Sequence, residues 1–277
     1  MITTIASPFQ LPAAPGALCL ILDASFDAQL QTYLEDAAGT SGALCVPLLE
    51  STPYAGVQDV GPFALLCPST NELTAYASAL LERADAGCVA YVQNPRHFDL
   101  AIEHWRSLLT VRTDESTEQM MRFFDPRWLE PLLNSLNDNE LTEVMGPVTD
   151  FAWRNELGWR HRPPAPCIWE GEVQAPGWFD LTPARETAMN HQRLQVLAGR
   201  FAQDYSHALP IPAPANFVYD QLLAAHHSGF TQTPDQERWL RLSLRLGEGF
   251  WSRSPHGEVL ARPSLSLSDK LVELERL

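Results

Sequence analysis

Three aspartates next to apolar stretches are the residues of this sequence best suited to chemistry. Asp23, Asp59 and Asp125 each end or follow a run of apolar residues typical of a buried strand. In an α/β sheet such strand ends can converge on an active site, where carboxylates could serve a hydrolase that binds a divalent metal. Each aspartate also fits a helix cap or a turn, and the spacing pairs none of them with a nucleophile or a base. A carboxylate-dependent hydrolase is therefore kept only as the weaker alternative.

Other sequence signals for catalysis, nucleotide binding and metal binding are absent. The chain contains no GxSxG, GxxxxGK[ST], HExxH or GxGxxG motif. Among its histidines, His226 and His227 are adjacent and point to different sides of a helix, which is poor geometry for one metal. The five cysteines form no CxxC pair and are interpreted as small buried hydrophobes in a reducing compartment. We therefore expect no enzymatic activity, no cofactor and no metal.

The segment 119–124 marks a change of the hydrophobic period from two to about four. Only Arg122 interrupts its apolar residues, which predicts a strand covered on both faces. The guanidinium of Arg122 would then need a carboxylate or carbonyl partner. Asp125 can accept hydrogen bonds from the free amides of a helix start, and Pro126 suits the first helical position. The sequence therefore predicts that Asp125 caps a helix.

That helix carries one apolar stripe. Its leucines recur at i, i+3, i+4 and i+7, and they are Leu129, Leu132, Leu133 and Leu136. Pro131 removes one backbone hydrogen bond, so we expect a kink or a restart of the helix there.

The charge of the chain is strongly uneven. The formal net charge is −15, and residues 1–150 hold 20 Asp and Glu against 6 Arg, whereas residues 151–277 hold 14 against 13 Lys and Arg. The acidic half would repel a phosphate backbone and attract a basic or amphipathic protein, so we expect protein partners and no nucleic acid. An acidic surface that only keeps the protein soluble is the alternative. The sequence has no apolar run long enough to span a membrane, and its first basic residue is Arg83, so we expect a cytoplasmic protein without a secretory signal.

The order of the predicted elements is typical of an α/β structure followed by helices. Residues 1–154 are predicted to form an α/β lobe with a mixed sheet and flanking helices, 155–181 a Pro- and Trp-rich connector, and 182–277 a small all-α lobe. Strands are predicted at 18–22, 44–49, 62–67, 88–92 and 148–153. A hairpin with a polar tip is predicted over 110–124. Helices are predicted at 26–36, 70–83 (with Ser69 or Thr70 as its cap), 99–109, 215–227 and 233–247, with another starting at Thr182-Pro183. Residues 1–16 are predicted to be an extended lead-in, and residues 265–277 a short helix or a loose tail.

Three blocks of the sequence resemble a known family. In order they are Leu20-Ile21-Leu22-Asp23-Ala24, Tyr54-Ala55-Gly56-Val57-Gln58-Asp59-Val60-Gly61-Pro62-Phe63 and Arg122-Phe123-Phe124-Asp125-Pro126-Arg127. They are similar to the landmarks of the bacterial type VI secretion effector-chaperone family, domain of unknown function 4123, except that Phe124 stands where tyrosine is common. The resemblance covers about residues 17–150 and implies a structural signature formed by Asp23, Asp59, Gly61, Pro62, Arg122, Asp125, Pro126 and Arg127.

The resemblance also implies a function. Members of that family are cytoplasmic adaptors, not enzymes, and they bind a toxic effector and help load it onto the valine-glycine repeat spike protein (VgrG) of the secretion machine. We expect the two lobes to form a groove that takes a partner helix. The aromatic and aliphatic residues expected to help line it are Trp239, Leu242, Leu246, Phe250 and Trp251. The alternatives are that these residues only hold the helices together, and that the chain is an immunity-type binding protein.

Overall fold

The chain divides into two compact units, Met1–Met189 (unit 1) and Asn190–Leu277 (unit 2). The residues of the predicted connector, 155–181, lie in unit 1, and the division between the units falls within one long helix. The computed structural model describes residues 1–10, 17–26, 30, 32–34, 36, 44–67, 72–83, 86–92, 94–114, 117–155, 158–165, 169, 171–209 and 213–277.

All strands of the described residues belong to unit 1. They are β1 (Thr3–Ile5), β2 (Ala17–Asp23), β3 (Leu44–Pro47), β4 (Pro62–Cys67), β5 (Gly87–Val92), β6 (Thr110–Arg112), β7 (Glu118–Met120), β8 (Val148–Asn155), β9 (Gly158–Arg162) and β10 (Phe179–Asp180). Within the described residues, seven of them form one sheet in the order β1-β9-β8-β5-β2-β4-β3. Every neighbouring pair in this sheet is antiparallel.

A second, smaller sheet has mixed strand directions. Its order is β10-β6-β7, with β6 antiparallel to β7 and parallel to β10. The predicted hairpin is therefore confirmed, although residues 115–116 of its tip lie outside the described residues. The α/β class is confirmed as well, while the expected mixture of strand directions belongs to the small sheet.

Helices cover both faces of the large sheet. The helices of unit 1 are α1 (Glu72–Leu81), α2 (Phe98–Leu108), α3 (Pro126–Ser135) and α4 (Asp138–Met145), followed by α5 (Pro183–Asp204), which continues into unit 2. Strand β2 alternates between two apolar cores, with Cys19 and Ile21 in the core shared with α2, α3 and α4, and Leu20 and Leu22 in the core on the opposite face. Because both faces are buried, β2 is apolar along its length rather than alternating with polar residues.

Unit 2 is helical, which confirms the predicted character of the C-terminal part. Its helices after α5 are α6 (Pro214–His227), α7 (Thr233–Leu246), α8 (His256–Leu260) and α9 (Leu267–Arg276). Trp239 of α7 is fully buried in the core of this unit, with its ring centroid 5.3 Å from Phe230 and 5.0 Å from Phe250. In the described part of the chain, no helix is both long enough and apolar enough to cross a membrane.

The predicted strand over 119–124 is wrong beyond its first two residues. Strand β7 ends at Met120, and the amide of Asp125 donates to the carbonyl of Arg122 at 3.0 Å, which closes a turn. Phe123 and Phe124 are both buried in that turn and pack with ring centroids 5.8 Å apart. The apolar run therefore reflects the burial of a turn, which hydrophobicity alone does not distinguish from a buried strand.

The helix does not restart at Pro131, which corrects that part of the expectation. Helix α3 continues through Pro131 to Ser135, and a new helix begins at Asp138. Asn137 caps this second helix and Glu140 returns a side-chain bond to the Asn137 amide, which together form a capping box.

Several elements were missed or lie outside the described residues. The short strands β1, β9 and β10 occupy segments predicted to be an extended lead-in and a connector. The predicted helix at 26–36 is described only at residues 26, 30, 32–34 and 36, and the predicted caps of the helix at 70–83, Ser69 and Thr70, lie outside the described residues. The final segment, predicted as a short helix or a loose tail, forms helix α9.

The end of α4 packs tightly against a buried histidine. Gly146, directly after α4, has φ +54°, and a Cβ atom added there would lie 2.5 Å from Nε2 of His104. The same nitrogen of His104 lies 3.0 Å from the Val144 carbonyl oxygen. Both the backbone conformation and the space therefore require glycine at position 146.

We expect Gly146→Ala to lower the free energy of unfolding by roughly 2–4 kcal/mol, because it adds backbone strain and a clash with His104. Urea denaturation followed by tryptophan fluorescence measures the change. Gly199→Ala is the control, since a Cβ at this helical position meets nothing within 4 Å. A Gly146→Ala protein as stable as the wild type would contradict this packing.

Burial lowers the pKa of His104 below the ordinary value of 6.5, and the bond with the Val144 carbonyl only partly opposes this effect. His104 is therefore neutral in the folded protein, whereas the unfolded chain takes up a proton as the pH falls below 6.5. We expect the contribution of this residue to be complete above pH 6.5 and to decline below it, by at most about 1.4 kcal/mol per pH unit. His104→Gln should flatten this dependence in denaturation measured across pH, while the exposed His207→Gln should leave it unchanged.

Candidate functional site

Four residues of the predicted signature form one group, here called the charge cluster: Asp23, Arg122, Asp125 and Arg127. They come from the end of β2, the turn after β7 and the first turn of α3. Only 1% of each carboxylate side chain is exposed, compared with 36% for Arg122 and 46% for Arg127. The acids lie inside and the arginines lie at the surface above them.

Asp125 both caps α3 and binds Arg127. Its Oδ1 accepts from the backbone amide of Arg127 at 3.0 Å, which confirms the predicted cap. The guanidinium of the same arginine binds both carboxylate oxygens, with Nε 2.9 Å from Oδ1 and Nη2 2.7 Å from Oδ2. This two-pronged geometry is the strong form of an arginine–carboxylate pair.

Arg122 connects the two buried acids. Its Nη2 donates to Oδ2 of Asp23, and its Nε lies 3.6 Å from Oδ2 of Asp125. The guanidinium also lies over the ring of Phe124, 5.2 Å from the ring centroid. The predicted carboxylate or carbonyl partner of Arg122 is confirmed, and this partner is the carboxylate of Asp23.

Asp23 lies where the end of β2 is held to the start of β4. Its Oδ1 accepts from the amide of Ser25 at 3.0 Å, and its backbone pairs with Pro62. The next amide, that of Ala24, donates to the carbonyl of Gly61 at 3.0 Å. A Cβ at Gly61 would lie 2.6 Å from Cδ1 of Leu49, so glycine here allows close packing.

Asp59 does not join the charge cluster. It is exposed on the 3-10 segment Ala55–Val60, so the three aspartates considered for catalysis do not converge. Asp23 and Asp125 are each bound to arginine, which leaves their oxygens engaged within the protein. Cys88 is buried, and burial followed by the charge of Asp125 raises the pKa of its thiol, which keeps the thiol protonated. In the described parts of the chain, no group of three or more His, Cys, Asp or Glu could hold a metal ion.

The residues predicted to bind a partner helix lie in or against the core of unit 2. Trp239, Leu242 and Phe250 are buried there, while Leu246 and Trp251 are partly buried and pack against the same core. Trp251 lies beside Trp239, with ring centroids 5.6 Å apart. A partner-binding role for this set stays a prediction, and among its members only Leu246 and Trp251 keep part of their surface exposed.

Sequence reasoning missed Glu130 of α3. Its Oε2 accepts from Nε1 of Trp153 at 3.2 Å and from Nδ2 of Asn155 at 2.8 Å, and its Oε1 accepts from Nη2 of Arg160 at 3.0 Å. Arg160 in turn donates to Oγ1 of Thr4 at 2.8 Å. These bonds tie the helix that carries the charge cluster to β8, β9 and β1. A glutamate beside a helical leucine stripe gives no sequence signal for such a role.

The region that contains the charge cluster matches one family model. Residues 18–143 match the family described as Domain of unknown function (DUF4123). This DUF4123 region includes all eight signature residues and ends before β8. The search of curated proteins and the search of solved structures each returned no match.

Removal of the Arg122 side chain from the DUF4123 region should leave Asp23 buried with its principal charged partner gone. We expect Arg122→Ala to lower the free energy of unfolding by roughly 2–3 kcal/mol, less than for a fully buried pair because Arg122 is partly exposed. Arg112→Ala is the matched control, since its pair with Asp180 is exposed on both sides (47% and 53%), and it should cost less than about 1 kcal/mol. Equal losses in the two variants, measured by urea denaturation, would contradict a structural role for the cluster.

Proposed function

We propose that this protein is an adaptor that binds a type VI secretion effector and helps load it onto the VgrG spike. The observation that carries the proposal is the DUF4123 match, which covers the three sequence blocks whose resemblance implies an effector chaperone. The charge cluster supports it further, because the signature residues within this cluster hold strands and a helix together instead of presenting reactive groups.

The distribution of charge also supports a protein-binding role for unit 1. Residues 1–189 hold 25 Asp and Glu against 10 Arg, a net charge of −15. Residues 190–277 hold 9 Asp and Glu against 9 Lys and Arg, a net charge of zero. The whole formal charge of the chain therefore resides in unit 1. A surface of one sign attracts a partner of opposite sign and speeds their encounter.

The engagement of the carboxylates favours an adaptor over a carboxylate-dependent hydrolase. A catalytic acid or base must reach a substrate with a free oxygen or proton. Asp23 and Asp125 instead direct their oxygens at arginines and backbone amides of the same unit.

The test is reconstitution with the effector and the spike protein encoded nearest to the gene. We expect the purified chain to form a stable complex with the effector, and the effector to associate with the spike protein only when the chain is present. Size-exclusion chromatography of the binary and ternary mixtures measures both. Failure of the effector to bind would contradict the proposal, and full protection of cells from the effector's toxicity at equal expression would favour an immunity protein.

A further inference from the structure

One loop of unit 1 exposes apolar side chains beside the charge cluster. This loop, residues 54–61, is here called the valine loop because Val57 and Val60 are each 54% exposed. Single exposed valines are ordinary on protein surfaces. Two within four residues of one short loop form a small apolar surface that a partner can cover.

The valine loop is held in one conformation by its own hydrogen bonds. The amide of Val57 donates to the carbonyl of Tyr54 at 3.0 Å, and the amide of Gly61 donates to the carbonyl of Gln58 at 3.0 Å. The amide of Tyr54 donates to Oγ1 of Thr52 at 3.1 Å. Because the backbone is already ordered, a partner that contacts the valines loses less conformational entropy on binding than it would with a mobile loop.

The base of the loop is anchored to the charge cluster. Gly61 lies against the buried Leu49 and accepts from Ala24, the residue that follows Asp23. The two negative charges of the cluster are matched by the two positive charges of its arginines. The cluster therefore fixes the position of the valines without adding net charge next to them.

The valine loop itself carries one negative charge. Asp59 is exposed between the two valines. Glu50, with 58% of its side chain exposed, precedes the loop but is paired with Nη2 of Arg106 at 3.2 Å, so the negative charge offered to a partner here is that of Asp59. Residues 1–82 contain no Lys or Arg, so the segments on both sides of the loop bring no basic side chain to it. A cationic partner would meet complementary charge at this surface, and an anionic one would be repelled.

We propose that the valine loop is a docking surface for a segment of the effector that carries apolar side chains flanked by Lys or Arg. This inference rests on the proposed function and goes beyond it by assigning the surface and the chemistry of the segment. The apolar side chains pack on Val57 and Val60, and the basic side chains pair with Asp59.

Titration calorimetry with the purified effector tests the surface. We expect the double variant Val57→Ser/Val60→Ser to bind roughly tenfold more weakly or worse, a loss of about 1.4 kcal/mol or more. Asp59→Lys should weaken binding most at low salt and should reduce the salt dependence of the affinity. Val196→Ser is the matched control, because Val196 is 42% exposed on α5 in unit 2, and it should leave the affinity unchanged. The midpoint of thermal unfolding is measured for each variant. A midpoint equal to that of the wild type shows that the fold is retained.

The outcomes separate the two proposals. Wild-type binding of the effector together with equal binding by the double variant overturns the docking surface and leaves the adaptor function standing. Absence of effector binding by the wild type overturns the adaptor function, and the docking surface falls with it. Loss of spike-protein binding with unchanged effector affinity also overturns the inference, since the surface would then serve the spike protein.

Discussion

The contact of Arg122 with two buried carboxylates is the constraint on which the arrangement of unit 1 depends. Asp23 ends a central strand and Asp125 begins a helix, and each carboxylate is almost completely removed from water. A buried carboxylate without a cation is very costly, so strand and helix can be buried together only if the arginine lies between them. Arg127, at the surface, pairs with Asp125 and supplies the second positive charge for the two carboxylates.

This balance separates two roles of charge within one unit. The acids of the cluster are neutralised by their arginines and serve to position elements, whereas the excess acids of unit 1 give the unit its net charge of −15. The electrostatic field of the unit therefore comes from side chains outside the cluster, such as Asp59 on the valine loop. The carboxylates that hold the elements together are therefore different from those that give the unit its net charge.

Sequence alone predicted the central strands and most helices, because burial on both faces leaves continuous apolar runs and because proline, aspartate and glycine mark helix ends. It also predicted the cap by Asp125 and a partner for Arg122. It failed at the turn that buries Phe123 and Phe124, because a run of apolar residues in a buried turn has the same sequence pattern as a buried strand. It failed also at β9 and Glu130, whose pairing depends on residues far along the chain: the Arg160 that binds Glu130 lies 30 positions away, and its partner Thr4 lies 156 positions away.

The order of strands in the large sheet has a consequence for where the domain can be cut. The DUF4123 match ends at residue 143, but β5 lies in the middle of the sheet and takes β8 as its neighbour on one side. β8 pairs in turn with β9, and β9 pairs with β1 from the start of the chain. A fragment limited to the matched residues would leave one edge of the fully buried β5 unpaired and open to aggregation. The boundary of the family match and the boundary of the folding unit are therefore different, and the ribosome must release residues up to Arg162 before the sheet can close.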